Sequence, residues 1–131
     1  MDPGWDLENG TGTLDITAAS GSKFNILVTS LTLANAAGLA TNFNDATSYN
    51  WLIADFAAIS GFAANAFNID TTGFSNTFTG SFNVALGGGA IPESDNSQIY
   101  LTYTAVPEPG AALLGGLGLL ALLRRRRNRG M

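Results

Sequence analysis

The chain has 131 residues, with ten acids against six bases, a formal net charge of −4, and neither cysteine nor histidine. That excludes a disulfide framework, a thiolate metal site, and any Ser-His or Cys-His nucleophile pair. Residues 1–105 carry one cation, Lys23, against nine acids, so they offer no basic surface for nucleic acid.

Taken in chain order, residues 1–105 read as short strands and turns. In "TGTLDITAAS", Leu14 and Ile16 alternate with Asp15 and Thr17, the period of a half-buried strand. "KFNILVTSLTL" sets Phe24, Ile26 and Val28 on one face and Leu27 on the other, which predicts a strand buried on both sides. "LANAAGLA" and "FAANAF" are Ala-rich but short and broken by Gly or Asn, and predict single turns at most. "SYNWLIADF" places Tyr49, Trp51 and Ile53 on one face and Leu52, Ala54 and Phe56 on the other. "AFNID" and "GSFNVAL" add two strands, and "SQIYLTYTAV" closes the series with Ile99, Leu101 and Tyr103 alternating with Tyr100 and Thr102. Glycines between these runs supply the turns. The expected core is Leu14, Ile16, Phe24, Ile26, Val28, Trp51, Ile53, Phe74, Phe82, Val84, Leu101 and Tyr103. The predicted class is all-β, with a small β-sandwich and the end of a solenoid both compatible with the pattern.

Candidate sites in this part are few. Asp45 with Asp55, or Glu93 with Asp95, could form a carboxylate pair of the glycosidase kind, but acids in such a chain are usually turn or surface residues. "NFND" and "ESDN" offer oxygen ligands for calcium, yet neither matches a calcium-loop pattern, and turn formation by Asx side chains is the expected role. Tyr49 and Trp51 could present a sugar-stacking platform; their placement beside Ile53 favours core packing. The reading is of a non-enzyme without metal or cofactor.

Residues 106–131 differ in kind. "VPEPGAALLGGLGLLALLRRRRNRGM" begins with Pro107 and Pro109, which forbid helix through the motif, although Pro109 suits the first turn of a helix that starts there. The apolar residues that follow, Ala111, Ala112, Leu113, Leu114, Leu117, Leu119, Leu120, Ala121, Leu122 and Leu123, are interrupted only by glycine. As a helix this run spans about 20 Å, short of the roughly 30 Å hydrocarbon core, so it predicts a marginal membrane anchor. Snorkelling arginines and a thinned bilayer reduce the deficit. Arg124, Arg125, Arg126, Arg127 and Arg129 then hold the C-terminus in the cytoplasm and set residues 1–105 outside.

Motif 107–109, apolar helix 110–123 and basic tail 124–131 together resemble the PEP-CTERM sorting signal of Gram-negative bacteria. The resemblance implies that Pro107, Glu108 and Pro109 are recognised by exosortase, an integral-membrane, transpeptidase-like cysteine protease, while the helix and arginines hold the precursor in the inner membrane. The stretches "GWDLENGTGTLDIT", "FNDATSYNWLIADFAAISGF", "FNIDTTGFSNTFTGSFNVAL" and "IYLTYTAVPEP" also resemble the C-terminal end of large exported proteins with autotransporter-associated β-strand repeats. That implies the C-terminal cap of a parallel β-solenoid, followed by one short hydrophobic helix. "MDPGWDLENG" has neither a basic n-region nor an apolar h-region, so the natural start is expected upstream. The functional expectation is a non-catalytic surface or extracellular-matrix protein, located in the cell envelope and processed through its tail. The alternative is a carbohydrate-binding module with exopolysaccharide as its partner.

Overall fold

A computed structural model describes residues 6–17, 21–107, 117–119 and 121. Eight strands form among them: β1 (Glu8–Asn9), β2 (Thr13–Asp15), β3 (Phe24–Leu27), β4 (Tyr49–Asp55), β5 (Ala58–Ser60), β6 (Phe67–Asp70), β7 (Ser81–Leu86) and β8 (Gln98–Thr104). They make three small sheets, ordered β1-β4-β8-β7, β2-β5 and β3-β6, and none closes into a barrel. Helical structure is sparse among the described residues: a 3₁₀ turn at Ala64–Ala66, inside "FAANAF", a 3₁₀ residue at Thr17, and helical residues 117–119 and 121. "LANAAGLA" folds as a turn held by an antiparallel bridge between Leu31 and Ala37, with Asn35 at φ 62°.

The first three strands pair in parallel with the next three in chain order. Glu8 meets Ala54, Thr13 meets Ala58, and Phe24 meets Phe67, so one circuit of chain separates each pair of partners. Parallel neighbours require such a crossover, because a tight hairpin can only return a strand antiparallel. The ladder continues around the corners. Gly10 N–H donates to Asp55 O at 3.0 Å, Ala57 N–H to Gly12 O at 3.1 Å, Ile16 N–H to Ser60 O at 2.9 Å and Val28 N–H to Asp70 O at 2.8 Å. Gly61 turns one corner at φ +70°, where a Cβ would lie 3.0 Å from the Thr17 Cα and N, so a side chain would meet both strain and a close contact.

After β6 the pairing changes. β8 lies antiparallel between β4 and β7, matching Tyr49 to Tyr103 and Trp51 to Leu101 on one side, and Phe82 to Tyr103 and Val84 to Leu101 on the other. The alternation expected of residues 98–104 is realised: Ile99, Leu101 and Tyr103 are buried. The core gathers around Ile16, Ala54, Ala66, Val84 and Ile99, with Leu14, Ile26, Ile59 and Ile69 packed against it.

Three expectations need correction. Leu27 is 72% exposed, so the strand predicted to be buried on both sides is open on the Leu27 face, and Phe24, at the start of the other face, is 46% exposed while Val28 on that face is buried. Among the described residues β3 pairs only with β6, so Phe24 has a ring neighbour from β6 and none from a strand on its other edge. In β4 a register shift between Leu52 and Ala54 breaks the period of two. Ala54, rather than Ile53, then lies opposite Ile99 and is buried, while Ile53 is half-buried at the core's margin. Ser30, absent from the expected core, is buried because its hydroxyl donates to Gly38 O at 2.6 Å and accepts from Ser75 N–H at 2.7 Å. That pair of bonds ties the excursion after β3 to the segment after β6.

Candidate functional site

β8 is an interior strand of its sheet, and the chain leaves it directly for the C-terminal segment. Its last residue is Thr104; Ala105 N–H donates to Ser48 Oγ at 3.0 Å, and Val106 and Pro107 are exposed. Hydrogen bonds therefore hold the chain to within two residues of Pro107.

The point of departure is fixed from below by Tyr103, which is 1% exposed. Its hydroxyl donates to the Asp45 carboxylate and accepts from Gly80 N–H at 3.0 Å. The same carboxylate accepts from Thr79 N–H and from Thr79 Oγ1, each at 2.8 Å. One acid thus joins three segments remote in sequence: the excursion before β4, the loop before β7, and β8 itself. Gly80 is required here, since a Cβ would collide with Thr104 O and the Tyr103 ring. Rings complete the packing. Phe43 meets Tyr103 edge-on at 5.1 Å and Phe74 at 4.9 Å, and Phe82 lies 5.0 Å from Tyr103.

The bond from Tyr103, followed by those from Thr79, lowers the Asp45 carboxyl below its ordinary value. Burial, and then the Asp45 bond, raises the Tyr103 phenol. A carboxyl lowered in the folded state contributes stability that is fully present above its unfolded value, about 3.9, and is lost as pH falls through the folded value. Asp45→Asn should therefore be less stable than the natural chain at pH 6, with the gap closing towards pH 3. Urea midpoints of the two proteins, measured across that range, give the check; a gap independent of pH would contradict it.

Several other acids have local roles. Asp15 and Asp95 are lowered chiefly by side-chain bonds from Thr17 and Ser97, and Asp70 chiefly by the Thr72 N–H. Each caps a turn two residues on, as the Asx reading of "ESDN" expects, and Asn44 does the same in "NFND" by accepting from Ala46 N–H at 3.0 Å. Asp55 lies opposite Gln98 in the β4–β8 register, while Asp45 is committed to Tyr103 and Thr79. Among the described residues no group of three or more acids is placed to hold a metal ion. Tyr49 and Trp51 stack on each other at 5.3 Å and 16°, with Phe43 stacked on Tyr49 at 5.6 Å and Phe82 on Trp51 at 6.2 Å. Both rings are half-buried, with neighbouring rings stacked against them.

Of the predicted sorting residues, Pro107 is described and exposed, and Leu117, Leu119 and Ala121 are helical and exposed. Glu108, Pro109, Ala111, Ala112, Leu113, Leu114, Leu120, Leu122, Leu123, Arg124, Arg125, Arg126, Arg127 and Arg129 lie outside the described residues. Among the described residues no helix is long and apolar enough to cross a membrane.

Sequence reasoning missed the role of Asp45, whose main partner is 58 positions away. It also missed a repeat that was legible: Phe24-Asn25-Ile26 recurs as Phe67-Asn68-Ile69, and the two triplets stack residue on residue.

In comparison with known proteins, a family model described as the PEP-CTERM protein-sorting motif matches residues 105–127. No curated protein and no solved structure matches the chain. A signal of this kind implies an exported or cell-envelope protein that exosortase sorts.

Proposed function

We propose that this chain is a non-catalytic surface or matrix protein whose residues 1–105 form the C-terminal end of a β-solenoid and whose residues 106–131 deliver it to exosortase. The observation that carries this reading is the sorting motif at residues 105–127, which begins one residue beyond the last strand. Glu108 and the flanking Pro107 and Pro109 are the recognition element. The apolar run 110–123 holds the precursor in the inner membrane, and Arg124–Arg127 with Arg129 remain on the cytoplasmic side.

The solenoid reading is supported by three successive parallel strand pairs and by the stacking of identical residues between circuits. A β-sandwich is built from antiparallel sheets facing one another, and parallel pairing of consecutive short strands does not suit it. The β7–β8 hairpin is the cap. By placing antiparallel β8 against the free edge of β4, it ends the succession of parallel strands on that sheet.

To test this, the chain is expressed with a secretion signal fused ahead of Met1, in a host with exosortase and in its exosortase-deleted sibling. Protease added after the outer membrane is permeabilised should reach residues 1–105 in both. In the deleted strain the protein should stay with the inner membrane; in the parent it should leave that fraction. Equal membrane retention in the two strains would contradict the reading.

A further inference from the structure

We propose that the free edge of β1, β2 and β3 is a binding edge for an extended strand carrying a Phe-Asn-aliphatic triplet, taken up in parallel register. The proposal rests on the solenoid-end reading and names the partner that this edge accepts.

The chemistry is already displayed once inside the fold. Across β3 and β6, Phe24 lies over Phe67, Asn25 over Asn68 and Ile26 over Ile69. The phenylalanine rings are 5.6 Å apart, and Asn68 Nδ2 donates to Asn25 Oδ1 at 3.1 Å. Each asparagine has one amide donor group and one acceptor, so a ladder of them extends with one bond per added strand. Asn25 spends its carbonyl on Asn68, and among the described residues its amide nitrogen donates to nothing. An incoming asparagine in the same register would accept that bond. Phe24 repeats the pattern, covered by Phe67 on one side and 46% exposed overall.

The backbone points the same way. Val28 N–H donates inward to Asp70 O. Amides alternate direction along a parallel strand, so those of Asn25 and Leu27 face the free edge. Among the described residues β1 and β2 likewise have partners on one side only, β4 and β5. On the first sheet the opposite end of the stack is closed, since β8 occupies the far edge of β4. A second copy related by a two-fold axis would set β3 antiparallel to β3 and lose the parallel residue-on-residue ladder. The fitting occupant is therefore a strand from another circuit of the same kind.

The test uses the full chain with residues 8–53 duplicated in tandem. Because residue 8 pairs with residue 54, residue 53 closes one circuit and the added copy keeps register. Amide hydrogen exchange of Asn25 and Leu27 in the downstream copy should slow about tenfold or more. Phe24→Ser with Asn25→Ala in the upstream copy alone should restore fast exchange. Independently, a peptide with the sequence of residues 65–72, titrated into the unduplicated chain, should shift the Asn25 and Leu27 amide resonances. Unchanged exchange together with no response to the peptide overturns the proposal. So does slowing that survives the double substitution, which would mean that the edge accepts any strand. Slow exchange of Asn25 in a dimer of the unduplicated chain overturns it in favour of a second copy. Ile26 and Val28, bonded toward β6, report on the solenoid-end reading separately: if they exchange freely in the unduplicated chain, that reading fails.

Discussion

Tyr103→Ala should cost the folded state about 3–5 kcal/mol, the range for removing a large buried ring. Small domains have about 5–15 kcal/mol in total, so this one change should leave the body marginal or unfolded. Two losses combine. The ring is 1% exposed and lies between Phe43, Phe78 and Phe82, so its removal opens a cavity where excursion, loop and hairpin meet. Its hydroxyl also joins Asp45 to Gly80, and without it the two segments lose their common partner. Tyr103→Phe keeps the ring and should cost less, about 1.5–3 kcal/mol, the range for a hydrogen bond to a charged group. Urea melts of the three proteins separate packing from bonding. Equal losses for the two variants would show that the hydroxyl, and not the ring, holds the hairpin.

Replacing Pro107, Glu108 and Pro109 together with alanine should abolish processing while leaving the fold intact. The motif begins beyond Thr104, the last residue of β8, so no strand or core side chain is touched. Pro107 is exposed, and the last hydrogen bond holding the exit is Ala105 N–H to Ser48 Oγ. Alanine also lifts the φ restriction that each proline imposes on itself and on the residue before it, and removes the charge of Glu108. Full-length protein should then accumulate in the membrane fraction, with a urea midpoint for residues 1–105 equal to that of the natural sequence. Normal processing of the triple variant would mean that exosortase reads something other than the motif.

How far the sequence could be read depended on the range of each interaction. The alternation in residues 98–104 is local, and Ile99, Leu101 and Tyr103 are buried as their spacing predicts. The irregularity in β4 was not legible, because it arises from matching β4 to β8 and leaves no mark in "SYNWLIADF" itself. Phe24 and Leu27 look like core residues in the sequence; that Phe24 lies on an edge strand, and that Leu27 is exposed, are set by tertiary packing and leave no local mark. Asp45 looks like any turn acid until the fold brings Tyr103 and Thr79 to it. The C-terminal signal was legible at once, since proline, apolar run and arginine cluster act through their order along the chain.

The intact mass of the mature protein, recovered from a host with exosortase, tests the central claim most directly. The account predicts a product that keeps residues 1–105, ends near Pro107–Gly110, and has lost Arg124–Arg127. A mature product that retains those arginines would contradict it.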